Sequence, residues 1–149
     1  MAKAVSLWRC KGFKEERAFA RWHITSTDIH EASFPLLNSI ISRGFSYAVA
    51  FHGFDDPEIP FDILIGGAAP YPLKQDIETA IKGAITGSDL TVHIASPDEK
   101  FGGDSLQNIV NRLTAGGANG IQIEQSPRAR SSHWQDIADA VANVYSAKL

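Results

Sequence analysis

The chain has 149 residues, 44% of them hydrophobic, a formal net charge of -3 and a pI near 5.9. That length and apolar share suit one domain with one core, and the acidic balance argues against a generic polyanion binder, which needs a basic face to neutralise several phosphates, while leaving room for a local basic patch. A single cysteine, Cys10, excludes an internal disulfide and fits a reducing compartment.

The N-terminus offers no signal sequence, and no run approaches the roughly 18 apolar residues of a membrane span. The expectation is a cytoplasmic protein with no nucleic-acid and no membrane partner. Residues 4–9 and 20–25 read as strands separated by a charged turn over 11–16. Leu36, Leu37, Ile40 and Ile41 fall on a helical stripe within residues 34–43, with Pro35 in the first turn and Gly44 as the stop. An apolar strand over 47–51 then runs into His52-Gly53. An acidic, proline-containing loop follows, and Ile63-Leu64-Ile65 forms a second apolar run halted by Gly66-Gly67. Leu73, Ile77, Ala80, Ile81, Ala84 and Ile85 keep the 3.6-residue period of a helix after Pro72, and residues 90–94 return as a strand.

Asp104 or Ser105 is placed to cap a short helix carrying Leu106, Ile109, Val110 and Leu113, before a strand over 120–123 that ends on Glu124. Ser132 with Gln135 forms a capping box for the last helix, whose apolar face is Trp134, Ile137, Ala138, Val141, Val144 and Tyr145. Strands alternating with helices predict a three-layer α/β domain, a mixed and largely parallel sheet flanked by helices.

In such sheets functional groups gather where strands hand over to loops, so His52 and Glu124, each at a strand end, are expected to share one crevice. Period-two alternation puts Gln122 on the same face as Glu124. Each residue also has a plain reading, His52 as a strand end and Glu124 as an edge carboxylate. His93 alternates with Val92 and Ile94 and reads as a satisfied strand histidine. Ser46 precedes its strand, so it is no nucleophile elbow. Gly66-Gly67 lacks the glycine spacing and lysine of a phosphate loop.

Four pieces in order, His23-Ile24-Thr25-Ser26-Thr27, His52-Gly53, Asn108-Ile109-Val110-Asn111-Arg112 and Gly120-Ile121-Gln122-Ile123-Glu124, resemble the poly-γ-glutamate hydrolase family. These are phage-associated and bacterial zinc enzymes with a zinc-carboxypeptidase-like fold. The resemblance implies metallopeptidase-like, zinc-dependent cleavage of γ-glutamyl amide bonds in poly-γ-glutamate or another glutamate-rich polymer. It implies His52 as a zinc ligand and Glu124 as the carboxylate that activates the metal-bound water and later protonates the leaving amine. Asn108, Asn111 and Arg112 would face the substrate, Arg112 as a carboxylate clamp, and Arg130 would be a further basic contact.

The family also carries an upstream segment of His-Gly-Gly-Gly-Ile-Glu type, which supplies a histidine and a glutamate ligand to the zinc. No such segment occurs in this sequence, so residues 1–149 are expected to form a single, N-terminally short domain of the family. If the source is a phage, release by lysis would go with the missing signal sequence. Within the chain, His23, Asp28, His30 and Glu31 are the substitutes for the missing ligands if their loop folds back. A homo-oligomer that borrows His23 or His30 from a neighbour is another. The alternative to hydrolysis is an inactive homologue that binds an anionic polymer or a protein through Arg112 and Arg130.

Overall fold

The structure, a computed structural model, describes Ser6, Leu7, Arg17, Ala20, Arg21 and residues 23–149. Among them the chain forms α1 (Pro35–Ile41), β1 (Ala48–Gly53), β2 (Ile63–Gly66), α2 (Tyr71–Ala84), β3 (Val92–Ile94), α3 (Ile109–Arg112), β4 (Gly120–Gln125), α4 (Pro127–Ser132) and α5 (Trp134–Lys148). The four strands make one mixed sheet in the order β1-β4-β2-β3. The outer pairs β1/β4 and β2/β3 are parallel, and the central pair β2/β4 is antiparallel. This is the expected α/β architecture.

Alternation along the strands divides the sheet into two unlike faces. Ile63 and Ile65 of β2 and Ile121 and Ile123 of β4 point to one face, where they meet Leu73, Ile77 and Ile81 of α2 and Ile137 and Val141 of α5. Spaced three and four apart, the helical residues form one stripe per helix. Burying each such side chain is worth roughly 1.5–3 kcal/mol, which makes this layer the main store of stability. On the opposite face the register aligns His52, Glu124, Leu64 and His93 in one row across all four strands, with Ala50, Gln122 and Gly66 in a second row. A loop over 96–108 and α3 cover that face, and Ile29, Leu37 and Ile109 form a small second core beside it. β4 is buried along its whole length although three of its six residues are polar.

Several boundaries differ from the sequence reading. Ala20 and Arg21 are helical, the Arg21 N–H donating to the Arg17 carbonyl at 3.1 Å, and residues 23–25 have no regular structure. That i→i−4 bond replaces the strand expected over 20–25. The strand expected over 4–9 lies outside the described residues except at Ser6 and Leu7, as does Cys10. α3 is one turn capped by Asn108, whose side chain accepts from the Val110 N–H, so neither Asp104 nor Ser105 is its cap. Ser132 does not cap α5: it ends α4, an unforeseen helix with Ser126 as cap and Pro127 in its first turn, and His133 precedes α5.

Candidate active site

β1 and β4 lie parallel with His52 directly opposite Glu124. Paired residues of adjacent strands project from the same face, so an imidazole and a carboxylate far apart in sequence become neighbours at the end of the sheet. Glu124 is 5% exposed, and His52 is half-buried.

The carboxylate is oriented by a chain of amides whose directions are fixed one by one. Asn108 Oδ1 accepts from the Val110 N–H, so its Nδ2 is the donor, to the Gly103 backbone carbonyl at 3.2 Å and to Gln122 Oε1 at 2.7 Å. Gln122 Oε1 being thus an acceptor, also from Ser26 Oγ at 3.4 Å, its Nε2 donates to the Phe101 carbonyl at 3.2 Å and to Glu124 Oε1 at 3.0 Å. Gln122, which strand alternation puts on the same face as Glu124, is the side chain that orients the carboxylate. Space for this network depends on glycines. A Cβ on Gly66 would sit 1.9 Å from the Gly102 carbonyl oxygen, and one on Gly103 would meet the Gln122 side chain at 2.9 Å.

Burial pushes the Glu124 carboxyl up to about 7, against the opposing pull of the Arg130 charge and of the bond from Gln122. Burial likewise holds His52 below the ordinary imidazole value, and His23 lies close enough to add repulsion. Near neutral pH the site therefore combines a neutral imidazole, able to ligate a metal, with a carboxyl that gives and takes a proton. Arg130, from α4, donates to the Phe54 carbonyl at 3.4 Å. Beyond the strand ends an open hollow of about 370 Å³ lies between the loop over 54–62 and residues 126–128; neither His52 nor Glu124 lines it.

The other residues named from sequence are placed differently. Asn111 is fully buried: its Oδ1 accepts from the Ala68 N–H at 2.9 Å and its Nδ2 donates to the Gly103 and Ser105 carbonyls, both at 2.8 Å. Asn108, 2% exposed, is engaged as described above. Both asparagines hold loops together around the site. Arg112 pairs with Glu31 at 2.5 Å and donates to the Ile29 carbonyl at 3.0 Å, so its fork is directed at the 29–31 turn. His93 stacks on Phe61 and bonds Glu99 at 3.0 Å, a satisfied strand histidine.

Of the four substitute ligands, Glu31 is taken by Arg112, Asp28 accepts from Thr25 Oγ1 at 2.6 Å, and His30 Nδ1 accepts from the Ala32 N–H at 3.1 Å. Among the described residues no three His, Cys, Asp or Glu side chains form a group that could hold a metal ion. No helix among them is long and apolar enough to cross a membrane.

The family model for poly-gamma-glutamate hydrolase matches residues 1–146. A bacteriophage poly-gamma-glutamate hydrolase of known structure is similar to this chain with a TM-score of 0.66 and 25% identity, over 86% of this chain and 63% of that one. The zinc-free apo form of YNDL shares the fold with a TM-score of 0.62 and 21% identity, over 83% of this chain and 63% of its own. This chain thus spans 63% of the length of either relative. Among curated proteins none matches significantly.

Proposed function

The chain belongs to the poly-γ-glutamate hydrolase family, and from that premise we propose that it acts on γ-linked glutamate polymers, with Glu124 as the proton-transfer group and His52 and Arg130 beside it. The observation that carries this reading is the register pairing of His52 with a buried Glu124 whose carboxyl titrates at about 7. A general base works best when its pKa lies near the working pH. Glu124 takes a proton from the water that attacks the γ-amide carbonyl, and returns it to the nitrogen as the C–N bond breaks. Gln122 keeps one carboxylate oxygen engaged, leaving the other for the water.

Zinc dependence is part of the proposal. A hydrolytic zinc takes three protein ligands, and the described residues assemble no such trio. They offer His52, whose neutral ring suits a ligand, so by themselves they do not fit the ion. The remaining ligands have to come from outside the described residues.

The lack of that trio favours a second reading, a homologue that binds the polymer without cutting it. Gel filtration of poly-γ-glutamate after incubation separates the two. Shortening by the wild type with added zinc, absent with Glu124→Gln, supports hydrolysis. Binding with no shortening, with or without zinc, supports the second reading. Equal shortening by Glu124→Gln refutes the role given to Glu124.

A further inference from the structure

Gly53 ends β1 one residue after His52. Successive strand residues project to opposite faces, so a side chain at 53 would point away from Glu124. That space is occupied. A Cβ on Gly53 would lie 2.5 Å from Arg130 Nη1, 2.7 Å from Cζ and 2.8 Å from Cδ, well inside the roughly 3.5 Å of ordinary carbon contact. Gly53 is not among the glycines with positive φ, so the backbone does not demand glycine here. The Arg130 side chain fills the place a Cβ would take.

The root of Arg130 is fixed as well. Its N–H donates to the Ser126 carbonyl at 3.0 Å within α4, which begins right after β4. Among the described residues its side chain forms no ion pair and one hydrogen bond, to the Phe54 carbonyl. A guanidinium carries five donors, which leaves most of the fork for a ligand. Arg112, by contrast, is engaged by Glu31 and the Ile29 carbonyl.

We infer that Gly53 is a positioning residue whose missing side chain forms the seat for Arg130, and that Arg130, so seated, is the cation that receives a substrate carboxylate beside the His52–Glu124 pair. The second half of this inference rests on the polymer reading above; the seat itself does not. It gives the His52-Gly53 dipeptide two jobs on opposite faces of one strand: the histidine faces the carboxylate, and the glycine makes room for the arginine.

The test uses the full chain as wild type, Gly53→Ala, Arg130→Ala and the double variant. Affinity for a short γ-linked glutamate oligomer is measured by calorimetry, with the thermal midpoint of each protein as a control. Losing a charge-assisted contact should weaken binding roughly tenfold or more. Gly53→Ala and Arg130→Ala should each show that loss, with the double variant no weaker than Arg130→Ala. Additive losses, or unchanged affinity in Gly53→Ala, overturn the inference. The seat is read without ligand from the Arg130 side-chain NMR signal, assigned by its disappearance in Arg130→Ala. Rotation about its Cζ–Nε bond should be slowed in the wild type and fast in Gly53→Ala, and equal rotation in the two refutes the seat. A wild type that binds no oligomer sinks the polymer reading and with it the ligand role of Arg130, whereas the seat still stands or falls on the arginine signal.

Discussion

Replacing Glu124 by glutamine keeps the shape and the acceptor offered to Gln122 while removing the charge. The folded chain holds this carboxyl at about 7 against an ordinary 4.5. At ~1.4 kcal/mol per pH unit, ionising Glu124 in the fold therefore costs roughly 3 kcal/mol more than ionising it in the unfolded chain. The sign follows from which state ionises first. Below pH 4.5 the group is protonated in both states and the cost is absent. Between 4.5 and about 7 the unfolded carboxyl ionises while the folded one resists, so stability falls as pH rises, and above about 7 the full cost applies. Urea denaturation of both proteins between pH 4 and pH 8 isolates this effect, because every other titrating group is common to the pair. Glu124→Gln should match the wild type at pH 4 and exceed it by roughly 3 kcal/mol at pH 8. A gap that does not change across that window would mean that the carboxyl is not desolvated, and the reasoning about its proton would go with it.

Other substitutions test the frame around the site. Gly66→Ala should destabilise by about 3 kcal/mol or more in urea denaturation, because the added methyl meets a backbone carbonyl that cannot swing away. Asn111→Ala should cost roughly 2–4 kcal/mol by the same measurement, since it empties a fully buried position and removes the partner of the part-buried Ala68 N–H and of two loop carbonyls. Gln122→Leu should raise the Glu124 carboxyl further, by removing a bond that favours its ionised form. Carbon-13 titration of that carboxyl checks this, and a midpoint that falls would contradict the donor and acceptor directions assigned to Asn108 and Gln122.

The parts of the fold visible in the sequence were those written in apolar pattern. The runs ending at His52 and Glu124 were too hydrophobic to be loops, and their polar last residues marked the rim where the sheet brings them side by side. α2 was legible from Leu73, Ile77 and Ile81, whose period leaves little choice of face. Short elements were less so, because a single turn carries no periodicity. α3 spans Ile109–Arg112 and depends on the Asn108 cap, while α4, six residues long, is marked only by the Ser126 cap and Pro127 in its first turn. The asparagines show a deeper limit. The family resemblance turns Asn108 and Asn111 towards a substrate, whereas the 96–108 loop supplies carbonyls for both, and nothing local in the chain announces that loop's path. Arg112 is similar: its partner Glu31 lies on a turn whose approach to α3 is set by the Ile29, Leu37 and Ile109 cluster rather than by any motif.

Amine release from a defined γ-linked glutamate oligomer, followed from pH 5 to pH 9 with added zinc, bears most directly on the role of Glu124. The rate should climb about tenfold per pH unit below about 7 and level off above it, as the carboxyl loses its proton, and Glu124→Gln should release no amine at any pH. A rate independent of pH through that range, or a glutamine variant as fast as the wild type, would contradict the account.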